Sequence, residues 1–379
     1  MEVSKASIKL DKNLFENTLA NSQNALNKKV IEITSNIFLR IENAKLVVEA
    51  YNQIIYIRSF IDIKDFKSNS NEDFICAING ELLFNTIKSF SNEDVSIDLF
   101  NEYVIIKQGR SKMKLPIYAH QSKAFKYHYQ DMEKLNVETT LLVKSVQKVL
   151  HACNSSSAAV HPAMQGIFLD FNENKLDIVA TDSKRLAVVE NEIKSNKDPF
   201  NVIISKNSIN EVIKIFNNDF NLYLNSSTNE ESNTKINDMV GVVNENIELY
   251  IKLINANFPE YKKALPKNDL TQIKVRKEEL IKGLKKVLVV TDKVIVTFKP
   301  EEIILKSLSG INGSSATIII DTKTDVKEEF SIGMNVQHIF DCISQIDNEF
   351  INFYFESENK PFLIKDQNFL ELFINLAIN

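Results

Sequence analysis

Phe90-Ser91-Asn92-Glu93-Asp94-Val95-Ser96-Ile97-Asp98-Leu99 decides the reading of this chain, because the sequence repeats it. Phe216-Asn217-Asn218-Asp219-Phe220-Asn221-Leu222-Tyr223-Leu224 has the same form. So has Ile346-Asp347-Asn348-Glu349-Phe350-Ile351-Asn352-Phe353-Tyr354-Phe355. Each leaves a helical pattern, turns through asparagine and acidic residues, and enters a strand in which apolar and polar residues alternate. The strand starts Val95, Phe220 and Ile351 lie about 125 to 131 residues apart, the size of one small domain.

The helices ahead of these turns each carry an apolar stripe. Val336, Ile339, Phe340, Ile343 and Ile346 form one; Ile209, Val212, Ile213 and Phe216 another; Leu83, Ile87 and Phe90 a weaker third. A second kind of helix opens each repeat: Leu14 to Leu26, then Val143, Val146, Val149, Leu150 and Cys153, then Leu280, Ile281, Leu284, Val287 and Leu288. Helix pairs separated by short alternating strands predict an α+β protein of three similar domains, each with two helices packed on antiparallel sheets. Polar, aperiodic stretches at 127–137 and 258–272 place the domains at 1–130, 138–258 and 259–379. Ser226 to Asp238, polar and acidic, reads as an exposed hairpin loop.

A chain of 379 residues exceeds one ordinary core, and its 44% hydrophobic and 25% charged residues fit a globular protein. No apolar run approaches the roughly 20 residues of a membrane span, and Met1-Glu2-Val3-Ser4-Lys5 lacks the features of a secretory signal. Cys76, Cys153 and Cys342 are far apart and set among apolar residues, as in a reducing compartment. These features predict a cytoplasmic protein with no membrane association.

Catalytic signals are weak. Neither G-x-x-x-x-G-K-[ST] nor G-x-G-x-x-G occurs in the sequence, which holds only eight glycines, and the five histidines form no H-E-x-x-H pair. Ser145-Val146-Gln147-Lys148 fits S-x-x-K without its companion motifs, on a helix whose apolar face Val146 and Val149 form. The expectation is a protein that binds rather than catalyses, with no cofactor and no metal. An enzyme using Asp182 or a histidine is the reading these absences oppose.

The formal net charge of -5 argues against bulk attraction to nucleic acid, but the charges are unevenly placed. Residues 274–293 hold seven Lys or Arg against three Asp or Glu, and 143–157 hold two lysines and no acid. Lysines on helices with acids gathered in turns make a positive face on a negative body, suited to phosphate contact without base reading. The alternative is an ordinary solvated helix face. Recurrence in the second and third repeats brings the two readings level, and Asp341 and Asp347 on the second helix of the third repeat keep the basic face from being uniform.

Three stretches resemble one family. His161-Pro162-Ala163-Met164-Gln165-Gly166-Ile167-Phe168-Leu169-Asp170, followed by Leu176-Asp177-Ile178-Val179-Ala180-Thr181-Asp182-Ser183-Lys184-Arg185-Leu186-Ala187, resembles the central motif of the bacterial DNA sliding clamp, the beta subunit of DNA polymerase III. Phe258-Pro259-Glu260-Tyr261-Lys262-Lys263-Ala264-Leu265-Pro266 looks like that family's F-P-[DE]-Y-x-x-x-[LI]-P segment. Gly109-Arg110-Ser111 with Lys114-Leu115 is similar to its first-domain strand. The similarity is collinear over essentially the whole chain.

The resemblance implies a non-catalytic homodimeric ring on double-stranded DNA, gripping it without sequence preference. Its partners would be the replicative DNA polymerase, a clamp loader and other clamp-binding peptides. It implies DNA contact by Lys29, Lys144, Lys148, Lys206, Lys282 and Lys286, and a dimer interface at Met113, Val289 and Val290. A peptide pocket between the second and third domains would be lined by Met164, Thr181, Ser183, Lys184, Arg185, Leu186, Pro259, Lys263, Ala264, Asn335, His338, Phe362, Phe373 and Asn375. Leu186 and Phe362 also read as plain core residues. Arg185, at an otherwise apolar strand end, is suited to fixing a peptide backbone or a neighbouring carboxylate. Ser183 and Lys184 stand where the family usually has Gly-His, and Phe373 to Asn379 replaces its M-P-[MV]-[RK]-L ending. The altered ending motivates an alternative, a diverged clamp-like protein that keeps the ring with other partners.

Overall fold

The computed structural model describes residues 4–27, 33–69, 74–118, 128–154, 161–194, 198–216, 219–229, 234–266, 270–308, 313–324 and 326–377. Its helices among these are α1 (Lys12–Ser22), α2 (Gly80–Lys88), α3 (Thr139–Val149), α4 (Lys206–Ile215), the single turn α5 (Tyr261–Ala264), α6 (Lys277–Leu288) and α7 (Val336–Ser344). The three repeated turns behave alike: α2 leads into strand Val95–Leu99, α4 into Asn221–Asn229, and α7 into Phe350–Phe355. Short polar side chains start three of the helices. Asp11 accepts from the Leu14 amide, Asn79 from Leu82 and Asn335 from His338, at 3.0, 2.9 and 2.9 Å. Each satisfies an amide that the helix leaves without a partner, worth about 1 kcal/mol.

Packing divides the chain into two compact units, 1–139 with 207–253 and 140–206 with 254–379. The first holds a five-stranded sheet ordered Asp65–Ser68, Ala6–Leu10, Val95–Leu99, Tyr103–Gln108, Ser111–Pro116. Its eight-stranded sheet runs Glu133–Leu135, Asn221–Asn229, Thr234–Val243, Ile247–Lys252, Ile55–Asp62, Lys45–Tyr51, Asn36–Glu42, Ile75–Asn79. Strands of the first and second repeats therefore share one sheet, joined where Ile247–Lys252 pairs antiparallel with Ile55–Asp62. Arg58 reinforces that seam, reaching Glu248 at 3.4 Å and Glu49 at 3.2 Å.

The second unit repeats the plan. Its eight-stranded sheet runs Phe200–Ser205, Gly166–Asn172, Lys175–Thr181, Arg185–Glu192, Phe369–Phe373, Phe362–Asp366, Phe350–Phe355, Thr271–Arg276, and its four-stranded sheet Thr317–Asp321, Glu302–Ser307, Lys293–Phe298, Phe330–Asn335. Here the second and third repeats are joined by Arg185–Glu192 against Phe369–Phe373. Pairing the terminal strand of one repeat with that of the next satisfies backbone groups that a free edge would expose.

Two local expectations are revised. The first helix ends at Ser22 and tightens into a 3-10 turn over Gln23–Ala25, short of Leu26, in a stretch rich in asparagine, a residue whose side chain competes for backbone hydrogen bonds. Within Ser226 to Asp238, residues 226–229 and 234–238 are strand, because Asn221–Asn229 pairs with Thr234–Val243 through a register shift at Asn225/Ser226, while 230–233 lie outside the described residues. Polar cross-strand bonds, Asn225 to Asp238 at 2.8 Å and Ser226 to Asn237 at 2.8 Å, replace the apolar contacts that a strand reading looks for. Cys76, Cys153 and Cys342 are free and buried. Burial pushes the first two thiols up to about 12 and about 11.

Candidate functional site

Three segments of the second unit converge on one groove. The first is the turn joining Lys175–Thr181 to Arg185–Glu192. The Thr181 hydroxyl donates to the Arg185 carbonyl at 2.7 Å, and Asp182 Oδ1 accepts from the Lys184 and Arg185 amides at 2.9 and 3.0 Å. This closure holds Ser183 at φ 74°, a left-handed conformation that disfavours a side chain. Ser183→Gly should therefore stabilise the protein by ~0.5–1 kcal/mol, read as a rise in thermal midpoint; an unchanged or lower midpoint would mean the turn is not strained.

The second segment is Phe258 to Leu265. Phe258 stacks on Phe168 with ring centroids 4.4 Å apart. The Tyr261 hydroxyl sits 2.8 Å from Asp170 and 2.7 Å from Asp177, and Lys262 reaches the same carboxylates at 3.0 and 3.2 Å. Burial, and then hydrogen bonds to the two carboxylates, push the Tyr261 phenol up, so it stays a neutral donor that fixes α5 to the sheet. The third segment is the chain after Phe373. The Ile374 amide donates to the Lys184 carbonyl at 3.0 Å, and the Leu376 amide to the Gly333 carbonyl at 2.9 Å. A Cβ at Gly333 would lie 2.5 Å from the Leu376 carbonyl oxygen, so only glycine admits this approach.

These segments enclose two adjoining cavities. One, of about 210 Å³, is lined by Met164, Thr181, Ser183, Arg185, Leu186, Phe258, Pro259, Glu260, Tyr261, Ala264, Leu372 and Ile374. The other, of about 300 Å³, is lined by Lys184, Met334, Asn335, His338, Ile339, Phe362, Phe373, Ile374, Asn375, Leu376 and Ala377. Ile374 belongs to both and is exposed. Concave, mostly apolar walls with a few fixed polar groups suit an apolar side chain held in register, and no nucleophile with a partnered base lines either cavity.

Beneath the groove lies a buried polar cluster. The Arg185 guanidinium donates to Asp182 at 3.0 Å, to Asp341 of α7 at 2.9 Å, and to the His151 carbonyl at 2.7 Å. His151 Nε2 lies 2.7 Å from Glu371, a carboxylate with no exposed surface. Burial, then the Arg185 charge, hold His338 below the usual histidine range, so at neutral pH it lines the second cavity uncharged. Among the described residues no group of three or more His, Cys, Asp or Glu converges as a metal site.

Of the pocket residues expected from sequence, seven line the first cavity and six the second, while Lys263 lines neither: it is exposed and paired with Glu260. Arg185 spends its donors on carboxylates and a carbonyl of the protein itself. Leu186 and Phe362 are buried core residues as well as cavity wall. Sequence reasoning missed Phe258, Glu260, Tyr261, Leu372 and Ile374 in the first cavity, and Met334, Ile339, Leu376 and Ala377 in the second. The first three stand in the quoted 258–266 segment, but which of its residues turn inward depends on the single turn of α5.

The other expected residues lie apart from the groove. Lys144, Lys282 and Lys286 are exposed on their helices and Lys148 is half-buried; Lys282 pairs with Glu278 at 2.6 Å. Lys206 donates to the Cys153 carbonyl at 3.0 Å, and Lys29 lies outside the described residues. Ser145 is buried and donates to Asn191 at 3.1 Å, which accounts for it as a structural residue. Met113 is 38% and Val289 86% exposed, whereas Val290 is half-buried. No helix among the described residues is long and apolar enough to cross a membrane.

Sequence models of the DNA polymerase III beta subunit match nearly the whole chain: the N-terminal domain at residues 7–122, the central domain at 136–260 and the C-terminal domain at 262–371. The chain is 25% identical over 369 residues to the beta sliding clamp of Helicobacter pylori strain J99, covering 95% of this chain and 94% of that protein. It is 22% identical over 391 residues to the beta sliding clamp of Streptococcus pneumoniae strain TIGR4, covering 98% and 99%. Among solved structures, the Helicobacter pylori beta clamp bound to a DNA ligase peptide is similar with a TM-score of 0.84 and 23% identity, over 98% of this chain and 100% of that one. The DNA polymerase III subunit beta of Pseudomonas aeruginosa is similar with a TM-score of 0.85 and 15% identity, over the same shares.

Proposed function

We propose that this chain, which belongs to the DNA polymerase III beta subunit family, is a DNA sliding clamp: a homodimeric ring around duplex DNA that tethers the replicative polymerase and other partners by a short peptide. The family is the non-catalytic processivity subunit of that polymerase. The observation that carries the tethering role is the pair of adjoining cavities built by the 181–185 turn, the 258–265 segment and the residues after Phe373. The Helicobacter pylori relative, whose structure holds a DNA ligase peptide, supports the same use here. The protein works in the cytoplasm, where its DNA is.

Ring closure needs unpaired edges, and each unit has them. Ser111–Pro116, with Met113, ends the five-stranded sheet; Thr317–Asp321 ends the four-stranded one. Val289, at the end of α6, is the most exposed large apolar residue among those described, and with Met113 and Val290 it is assigned to the interface with a second copy. Phosphate contact falls to Lys29, Lys144, Lys148, Lys206, Lys282 and Lys286. A ring held by topology needs only weak, sequence-blind contacts that permit sliding.

Retention on circular DNA tests this reading. Loaded on a nicked circle, the protein should stay through gel filtration and be lost at least tenfold faster once the circle is cut. Equal retention on circular and linear DNA, or a monomer at micromolar concentration, would overturn it.

A further inference from the structure

The two cavities differ in charge. Along the first, both ionised side chains are already matched: Glu260 by Lys263, and Arg185 by Asp182 and Asp341. Among the described residues no carboxylate lines the second. Asn335 there is committed to the start of α7 and to Asp292, and Asn375 donates to the Glu358 carbonyl at 2.6 Å. His338 adds no charge at neutral pH. Lys184 is the one cation on this rim, exposed and in no ion pair among the described residues.

The backbone of Lys184 is fixed at both ends. Its amide donates to Asp182 and its carbonyl accepts from Ile374, the residue that separates the cavities. A cation so placed lies beside any chain that occupies both cavities. A partner segment lying there meets one positive charge over an apolar floor of Phe362 and Phe373, and its own charge decides whether that contact attracts or repels.

We propose that Lys184 makes the second cavity select acidic partner segments: a peptide that seats an apolar side chain in the first cavity and carries Asp or Glu two or three residues away from it along the chain. This rests on the peptide-groove reading above. An extended chain advances about 3.3 Å per residue, so such a spacing spans neighbouring cavities. The interaction is exposed and hence modest, and salt screens it.

The probe is the DNA ligase peptide that the Helicobacter pylori clamp binds, fluorescently labelled, with each of the three residues on either side of its apolar anchor set in turn to Asp, Asn or Lys. Binding to the full chain is followed by anisotropy in 50 mM and 500 mM salt. At one position the Asp form should bind about threefold tighter than Asn, and the Lys form weaker still, in low salt. Lys184→Gln should level the three and Lys184→Glu reverse their order. Equal affinities for wild type, or a preference that survives in Lys184→Gln, overturns the role of Lys184 while leaving the groove standing. No binding by any form at millimolar peptide overturns the groove itself, and this proposal with it.

Discussion

Replacing Arg185 with alanine should lower the unfolding free energy by about 3 kcal/mol, read as a shift in urea midpoint by far-ultraviolet circular dichroism. The guanidinium is 8% exposed and makes three charge-assisted contacts, to Asp182, to Asp341 and to the His151 carbonyl. Alanine leaves all three acceptors in place with their partner gone. The two carboxylates keep 16% and 25% exposure, so water recovers part of the loss and the effect falls at the low end for a broken buried pair. Arg185→Lys should recover less than half, because a point charge cannot match three acceptors lying in different directions. A loss below 1 kcal/mol for the alanine variant would show that the cluster is solvated in solution and that the turn needs no such anchor. The same variant should weaken peptide binding, since Arg185 ties the groove's turn to α7.

Much of this fold can be read in the residues because its driving patterns are local. The three asparagine-and-acid turns are short-range signals, and each apolar stripe fixes which face of a helix is buried, so helices and the strands after them fall where spacing puts them. Local periodicity does not encode which strand lies beside which. That Ile247–Lys252 joins Ile55–Asp62, and Arg185–Glu192 joins Phe369–Phe373, is decided by edges pairing across long sequence separations. This is why consecutive domains at 1–130, 138–258 and 259–379 and the two packing units cut the chain differently. Lysine positions were legible, but not that Lys206 bends back to a carbonyl. The groove was legible through resemblance for its turn and its 258–266 wall. Ile374 was not, because its role comes from one backbone bond to Lys184.

Glu371 had a signal that went unused: in Phe369-Leu370-Glu371-Leu372-Phe373 an acid alternates in phase with two phenylalanines. In a strand such residues share a face, and here Phe369, Glu371 and Phe373 are all buried. The carboxylate has no exposed surface and lies 2.7 Å from His151 Nε2. Burial, and then the Glu371 charge, push the neighbouring Cys342 thiol well up, so that thiol remains neutral and does not repel the acid. Glu371→Ala should cost about 3–5 kcal/mol, since it removes one member of a buried pair and opens a cavity in the strand that joins two repeats. His151→Ala should cost a similar amount. The double variant should lose far less than the sum, by about 1–3 kcal/mol, because each single change has already abandoned the other partner. Strict additivity would mean that the two side chains act independently and that Glu371 is held by something other than His151. Glu371→Gln separates charge from shape: it keeps an acceptor for the ring at the cost of the ionic component. If it proves as damaging as alanine, the negative charge itself holds the end of α3 against this strand, beneath the turn that bears Arg185.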